Sequence, residues 1–507
     1  MKKNISRTLT VALSALLMMN ISCVSLEEKP ETFLTPDMFY RNVEQCKAVV
    51  TGAMQSIQGT YSQGPTWPDG TYHGNGRTRL NYAVTYQSAV WNNHWRAINN
   101  LNPVIGAFKN GDLAGSSDQN AVDEVYGHAL FLRAFCYFHL VQLYGKLPWI
   151  DETTPDLAFN QLTPADRKEV AFIYDKIEAD LDEAFRKMGD YKKEMPCKWT
   201  AKMVLAKLYL TRATAPLKQT EYYAKAAAAA NEIIEADVYK LLPIFDIFRS
   251  SNPNNEEFLW SLQYSSNYVG SPGINVCPEE WGSYSEQQTA PHFADAYPEQ
   301  PRKNYYILCN WPRELRAGNI PPKETWTWRN YRADPALGLR DAELPTSKYC
   351  WPNLTLAEQF TYPGTHGGAL KPIYRYSEVM LIYAEAANMA NGGPTQLAVD
   401  RLNLIINRAN TPFESEIPLT SVAGVEPLAT MSMTQEEFNA KVLQERKYEL
   451  HGEYTGYFDV LRTETLQEVN IWPGDTDDRF RAKDYLFPIP ALDYQHLGAN
   501  PGWESLY

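Results

Sequence analysis

The chain has 507 residues, of which 44% are hydrophobic and 13% aromatic, and its formal net charge at pH 7 is −13. A chain of this length can bury a large core, and it exceeds the usual length of one domain. The acidic balance, without any run of Lys and Arg, excludes binding to a nucleic-acid backbone, which needs clustered cations.

The N-terminal residues have the order of an export signal. A basic start precedes an apolar run from residue 9 to 19, and a short polar stretch then ends at Cys23. The apolar run is too short to span a bilayer. We therefore predict a signal peptide over residues 1–22 and lipid attachment at Cys23. An ordinary secretory signal stays open, because Asn20 replaces the leucine that is usual in lipoprotein signals.

Beyond the signal, no apolar stretch approaches the length of a membrane span, so the mature body is predicted to be soluble. The chain has 7 cysteines and no Cys-x-x-Cys pair, which argues against a zinc or redox site. Apart from Cys23, the cysteines are expected to be buried thiols. A disulfide among Cys277, Cys309 and Cys350 stays open, because exported proteins meet oxidising conditions.

The N-terminal half shows helical periodicity. A threonine followed by proline is typical of a helix start, and the apolar spacing predicts a helix over 35–53. A loop rich in Gly, Pro and aromatic residues follows over 58–79. Helices are then predicted over 86–108 and 121–144, and Gly145 is expected to end the second of them.

Three further helices are predicted over 167–188, 200–215 and 221–236, with small residues at spacings that allow close helix packing. Their length and their mix of Ala, Leu and Tyr resemble tetratricopeptide helix pairs. We therefore predict a mainly α fold that uses antiparallel helix pairs as its scaffold. Ordinary alanine-rich helix packing would give nearly the same arrangement.

The composition changes after these helices. Gly, Pro, Asn, Trp and Tyr are dense over 242–372, which predicts loops and short strands, and loops of this length often carry function. We expect an N-terminal segment over 23–241 and a C-terminal segment over 242–507, packed as one compact unit. Helices return in the C-terminal segment over 374–391, from after Pro394 to Arg408, and over 435–452.

Catalytic motifs are absent from the sequence. It has no Gly-x-Ser-x-Gly elbow, no phosphate loop and no His-Glu-x-x-His, and its 8 histidines lack the spacing of metal ligands. We therefore predict a protein that is not an enzyme, and we assign it no metal or cofactor, while a calcium site stays open. A glycoside hydrolase stays open, because such an enzyme needs only two carboxylates across a cleft.

One helical stretch has a specific resemblance. Residues 125–148 read Val-Tyr-Gly-His-Ala-Leu-Phe-Leu-Arg-Ala-Phe-Cys-Tyr-Phe-His-Leu-Val-Gln-Leu-Tyr-Gly-Lys-Leu-Pro. This stretch closely resembles a hallmark of the SusD-like (RagB/SusD) family of outer-membrane glycan-binding lipoproteins. Further stretches resemble the same family in the same order, over 27–57, 374–388, 402–409, 445–462 and 485–503.

The resemblance implies a SusD-like fold in which helix pairs support a loop-rich, irregular ligand-binding face. It implies a lipid-anchored protein exposed on the outer membrane, which binds an oligosaccharide or polysaccharide by aromatic stacking. It also implies delivery of that ligand to a TonB-dependent, SusC-like transporter. A binder of peptides or of another nutrient on the same scaffold stays open.

Sugar-binding sites pair exposed rings with Asp, Asn or Arg, because sugars have apolar C–H faces edged by hydroxyls. The resemblance implies that the loop 67–77, the helix after it and a later aromatic loop form such a site. Trp91 and Trp95 share one predicted helical face and fit a buried position equally well. The expected ligand-binding residues are Trp67, Asp69, Tyr72, Arg77, Trp91, Trp95, Trp281, Tyr284, Trp326 and Trp328.

Opposite charges cluster within the predicted helices. Arg133 is expected to meet a carboxylate within the scaffold. For the C-terminal charges we expect buried ion pairs that join helices, in preference to an active site. These residues are Arg375, Glu378, Glu385, Arg401, Arg408, Glu445, Arg446, Glu449, Asp459 and Arg462.

Overall fold

Helices make up most of the chain that the structure, a computed structural model, describes. The described residues are 39–61, 71–73, 79–154, 161–190, 194–248, 252–263, 287–289, 291–307, 310–314, 322–330, 344, 348, 371–412, 425–453, 455–468 and 481–504. In chain order, helices α1 to α14 span Val43–Tyr61, Arg79–Lys109, Gln119–Tyr144, Val170–Lys187, Lys198–Ala213, Tyr222–Glu235, Ile244–Ile247, Pro291–Ala296, Pro301–Tyr306, Tyr376–Asn391, Gln396–Asn410, Gln435–Glu449, Gly456–Arg462 and Ala491–Leu497.

The strands within these residues are short and form antiparallel pairs. Strands β1 to β8 span Thr71–His73, Leu147–Pro148, Arg167–Lys168, Phe258–Leu262, Gln287–Thr289, Asn310–Pro312, Trp328–Asn330 and Lys371–Arg375. β1 pairs with β5, β2 with β3, β4 with β8 and β6 with β7. The β1–β5 and β4–β8 pairs join segments that lie far apart in the sequence.

Neighbouring helices pack against one another along the chain. α1 contacts α2 and α3. α3 contacts α4, α4 contacts α5, and α5 contacts α6. α6 then packs on α10, which also contacts α11 and α12. The C-terminal helices therefore continue the scaffold that the N-terminal helices begin, and the predicted mainly α fold with helix pairs is confirmed.

Helix α3 lies at the centre of the scaffold. Every residue from 125 to 141 is buried, as expected for a helix that is apolar on all sides. The helix begins where the Asp118 carboxylate accepts a hydrogen bond from the Ala121 N–H at 3.0 Å. It ends at Gly145, whose φ of 71° favours glycine. A Cβ at this position would also lie 3.2 Å from the Leu486 side chain.

Arg133 of α3 is paired inside the scaffold. Its Nε and Nη2 donate to the two carboxylate oxygens of Asp180 on α4, at 2.7 and 2.8 Å. Its Nη1 donates to Glu152 at 2.6 Å. The predicted carboxylate partner of Arg133 is therefore confirmed, and the arginine joins α3 to α4 and to the loop after β2.

The first predicted helix was placed too early. The helix expected over 35–53 spans Val43–Tyr61 instead. Residues 39–42 form bends, and Tyr40 has a φ of 63°, which is incompatible with a helix. The bends at 39–42 therefore separate this helix from the threonine-proline pair, which lies outside the described residues.

Two other predicted helix starts are also shifted. The helix expected from residue 374 begins at Tyr376, because residues Lys371–Arg375 form β8 against β4. The helix expected over 86–108 begins earlier, at Arg79. The remaining predicted helices agree with the structure to within a few residues at each end, as expected for helices with caps and strong periodicity.

One apolar cluster includes residues of both predicted segments. The ring centroids of Phe135 on α3 and Trp260 on β4 lie 5.0 Å apart. Those of His139 on α3 and Phe458 on α13 lie 5.2 Å apart. Residues from both segments thus share a core, while the boundary between 241 and 242 stays a prediction.

The cysteines that the structure describes are Cys46, Cys136 and Cys197, and all are buried free thiols. This confirms the expectation for these residues. Cys277, Cys309 and Cys350 lie outside the described residues, as does Cys23 with the predicted signal peptide. None of the described helices has both the length and the apolar character needed to cross a membrane.

Candidate functional site

Two loop regions that are distant in the sequence meet in one sheet. β1 pairs with β5, and Tyr72 lies opposite Gln288. β1 belongs to the predicted ligand-binding loop 67–77, and β5 closely follows the predicted residues Trp281 and Tyr284. The backbone pairing therefore joins the two aromatic regions that the sequence singled out.

Most of the predicted side chains in these two regions lie outside the described residues. These are Trp67, Asp69, Arg77, Trp281 and Tyr284. For Tyr72 the structure describes the backbone alone. Their part in ligand binding stays a prediction. The structure shows that the segments near them pair through β1 and β5.

The β1–β5 sheet is fixed to the helical scaffold at Thr289. The Thr289 N–H donates to the carbonyl of Leu344 at 2.7 Å. Its buried hydroxyl lies 2.9 Å from Nε2 of His451, which is two residues beyond the end of α12. The His451 ring stacks on Phe293 with the centroids 4.6 Å apart. The end of α12 therefore sets the position of the strand that pairs with the predicted ligand-binding loop.

Trp326 and Trp328 form an aromatic pair beside the hairpin of β6 and β7. Their ring centroids lie 6.2 Å apart at an interplanar angle of 64°. Trp328 is 40% exposed, and Trp326 is half-buried. Two adjacent indoles of this kind present an apolar surface to solvent, which suits contact with the C–H face of a sugar ring.

Polar groups hold and surround this pair. The Thr327 N–H donates to the Glu314 carboxylate at 2.8 Å, and the Thr327 hydroxyl donates to the same carboxylate. The Arg313 N–H donates to the Thr327 carbonyl at 3.0 Å. Arg313 itself is exposed. The indoles are thus fixed by the residue between them and lie close to charged groups that can reach sugar hydroxyls.

Trp91 and Trp95 do not face solvent, and the prediction that they bind a ligand is corrected. They are 1% and 5% exposed. The Trp91 Nε1–H donates to the Asp493 carboxylate at 2.7 Å, and its ring meets Tyr144 edge to face at 4.7 Å. Trp95 packs edge to face on Tyr137 at 5.6 Å. Both indoles belong to the core because α3 and the C-terminal tail cover them.

The predicted ion pairs form two buried clusters. The first, the Glu449 cluster, consists of Glu257, Arg302, Lys348, Arg375, Arg408, Glu445, Glu449 and Glu453. Arg375 contacts Glu257 at 2.7 Å, Glu449 at 2.9 Å and Glu453 at 2.7 Å. Arg408 and Arg302 also contact Glu449, at 2.6 and 2.8 Å. Burial disfavours the charge on Glu449, but the arginines outweigh it and hold the pKa of this carboxyl well below its usual range.

The second, the Asp459 cluster, consists of Lys207, Glu378, Glu385, Arg446, Asp459 and Arg462. Arg446 and Arg462 contact Asp459 at 2.9 and 2.8 Å. Arg401 differs from the other predicted charges, because its guanidinium stacks on the Tyr383 ring at 4.3 Å. The expectation of ion pairs between helices is confirmed for the other residues.

The geometry of these charges differs from that of an active site. In the Glu449 cluster every charged group has an opposite partner, and no side chain is more than 8% exposed. Burial lowers the pKa of His94 to about 4 and holds the pKa of His139 well below its usual value. No group of side chains suited to a metal is found among the described residues.

Sequence reasoning missed several members of the clusters. Arg302 and Lys348 lie in the irregular region, where no periodicity indicates a partner. Glu453 follows Glu445 and Glu449 at intervals of four residues, and this spacing places carboxylates on one helical face. That signal could have identified Glu453 as a further partner of the same cations.

Two family models match the chain. One is described as the SusD family and matches residues 322–475, and the other is described as starch-binding associating with outer membrane and matches residues 42–210. SusD-like protein P2 of Formosa agariphila is 26% identical, over 96% of this chain and 98% of that protein. A SusD-like protein of Bacteroides ovatus is also 26% identical, over 51% of this chain and 50% of that protein.

The fold is similar to that of solved structures. A SusD superfamily protein from Parabacteroides distasonis has a TM-score of 0.73 at 22% identity, covering 90% of this chain and 99% of that chain. A SusD homolog from Bacteroides thetaiotaomicron has a TM-score of 0.71 at 18% identity, covering 92% and 98%. Surface glycan-binding protein A from the same species has a TM-score of 0.64 at 15% identity, covering 90% and 98%.

Proposed function

Because the chain belongs to the SusD-like family, whose members are carbohydrate-binding proteins associated with the outer membrane, we propose that it captures an oligosaccharide or polysaccharide at the cell surface. The glycan then passes, chemically unchanged, to a TonB-dependent, SusC-like transporter. SusD-like proteins are generally binding proteins without catalytic activity. The fully paired Glu449 cluster is consistent with a scaffold role for the buried charges.

The Trp326–Trp328 pair is the observation that carries this proposal. A half-buried and a 40% exposed indole lie side by side on a hairpin, with Glu314 and Arg313 close by. Rings hold the apolar face of a sugar, and nearby charged groups bind its hydroxyls. The sheet of β1 and β5 supports a second aromatic region that would extend the binding surface.

Replacement of both Trp326 and Trp328 by alanine is expected to weaken glycan binding about tenfold or more, because stacking rings supply a large share of the energy in such sites. The measurement is isothermal titration calorimetry with a panel of neutral oligosaccharides. Phe172→Ala is the matched control, since Phe172 is also 40% exposed but lies on the scaffold helix α4. This control should leave the affinity unchanged.

The same titrations distinguish the proposal from its alternatives. Binding of peptides from a parallel panel, with no response to any oligosaccharide, would identify a peptide binder on this scaffold. Release of new reducing ends during incubation with a bound glycan would identify a hydrolase. Equal losses of affinity in the double variant and in Phe172→Ala would show that the hairpin is not the binding surface.

We also propose that the protein is held at the outer membrane by lipid on Cys23. The support is the order of basic, apolar and small residues that ends at this cysteine. Cys23→Ala is expected to move the protein from the membrane fraction to the soluble fraction, because the acyl chains would be absent. Retention of the variant in the membrane fraction would contradict the anchor.

A further inference from the structure

A cavity of about 610 Å³ lies within the scaffold, apart from the aromatic loops. It is bounded by the C-terminal ends of α3 and α5, the start of α4, helix α13 and the C-terminal tail. Most of its wall is apolar, and the volume falls within the range of small-molecule sites. Its apolar wall includes Val141, Val170, Phe458, Leu461 and Leu486.

Two hydroxyls on side chains that line this cavity make no hydrogen bond within the described chain. Tyr174 and Thr211 are 1% and 7% exposed, and neither hydroxyl has a partner among the described residues. A hydroxyl without a partner in the protein can donate a hydrogen bond to an acceptor atom of a ligand in the cavity. The two side chains therefore mark a position for a polar group against the apolar wall.

Arg167 is a cation at the cavity whose bonds in the described chain are to neutral groups. Its Nε donates to the Lys146 carbonyl at 2.9 Å, and its Nη2 donates to the Asn500 side chain at 2.6 Å. Its Nη1 donates to two further backbone carbonyls of the C-terminal tail. Burial lowers the pKa of Arg167, with no carboxylate opposing this effect. Its charge is thus open to compensation by an anion.

Lys483 is a second cation of this kind. Its Nζ lies 4.0 Å from the centroid of the Trp503 ring, and no ion pair of Lys483 is found within the described chain. The other ammonium group on the cavity, that of Lys146, contacts the Glu169 carboxylate at 2.5 Å. In a chain with a net charge of −13, two cations without carboxylate partners on one cavity favour an anionic ligand.

We propose that this cavity binds an amphiphilic carboxylate, a molecule like a medium-chain fatty acid. Its chain would lie against the apolar wall, and its carboxylate would accept hydrogen bonds from Arg167 and Lys483. The Tyr174 and Thr211 hydroxyls supply further hydrogen-bond donors to oxygen atoms of the bound ligand. None of the lining residues belongs to the β1–β5 sheet or to the Trp326–Trp328 hairpin, so this binding does not depend on the proposed glycan site.

The test is calorimetric titration of the Cys23→Ala chain, purified without detergent, with decanoate below its micelle concentration. Decanoate is expected to bind saturably at one site. Decanol lacks the charge, so its affinity should be at least about tenfold lower than that of decanoate. Decyltrimethylammonium carries the opposite charge and should not bind. Absence of decanoate binding to the folded chain, or equal binding of all three amphiphiles, would overturn the proposal.

Variants locate the site. Lys483→Met keeps the aliphatic stem and removes the charge, so decanoate should bind about tenfold more weakly. Lys146→Met is the matched control, because it removes a lysine on the same cavity that already has a carboxylate partner, and its effect should stay within about twofold. Tyr174→Phe tests the hydroxyl with the ring retained and should weaken binding by a few fold. Wild-type affinity in Lys483→Met, or equal losses in both lysine variants, would refute the assignment.

Discussion

Replacement of Arg375 by methionine is expected to lower the free energy of unfolding by about 3–5 kcal/mol, the cost of breaking a buried ion pair from one side. The guanidinium is fully buried and contacts Glu257, Glu449 and Glu453. Methionine fills part of the volume but leaves these carboxylates without their shared partner. The measurement is equilibrium unfolding in urea, monitored by circular dichroism.

The matched control is Arg186→Met on helix α4. Arg186 contacts Glu183 at 2.5 Å, but its side chain is 62% exposed. Water and salt screen such a pair, so the expected loss is about 0–1 kcal/mol. Similar small losses in both variants would show that the buried carboxylates are compensated without Arg375. If Arg375→Met does not fold, the same ranking can be measured from the yields of soluble protein.

The position of the Glu449 cluster explains why its loss would reach the proposed ligand-binding face. Apart from Lys348, its members lie on or next to β4, β8, α9, α11 and α12, which come from separate parts of the sequence. Glu449 ends α12, and His451 follows it and contacts Thr289 of β5. The cluster therefore holds the end of α12, on which the sheet joining the two aromatic regions rests.

The helices were predictable because their signals are local. The helix predicted over 121–144 spans Gln119–Tyr144, with a cap at Asp118 and a glycine stop at Gly145. β8 was missed because its partner β4 lies more than a hundred residues earlier, and no local pattern shows such a pairing. Tyr374 therefore belongs to a strand although its sequence continues the helical pattern that follows.

The exposure of the candidate site residues was predictable only where the local sequence disfavours burial. Trp326 and Trp328 lie among polar residues in an irregular segment, and the structure places Trp328 partly in solvent. Trp91 lies on a helix whose covering elements come from elsewhere. Asp493, which accepts the hydrogen bond of its indole, is separated from it by 402 positions. Periodicity shows which residues share a face but does not show what covers that face.

Trp91→Ala is therefore expected to affect stability and to leave glycan affinity unchanged. The substitution removes an indole that is 1% exposed and packs on Tyr144 and Trp95. It leaves a cavity and an unpaired Asp493 carboxylate, and the expected loss in the free energy of unfolding is about 3–5 kcal/mol. Urea unfolding measures this loss, and calorimetry on the folded variant measures the affinity.

Trp328→Ala is the reciprocal variant, and the comparison separates the two roles of tryptophan in this chain. An indole that is 40% exposed contributes little to the core, so its removal should cost less than about 1 kcal/mol of stability. Its effect should fall on glycan affinity instead. If Trp91→Ala kept full stability but lost affinity, the result would contradict the burial of the Trp91 ring. It would instead support the predicted binding platform of Trp91 and Trp95.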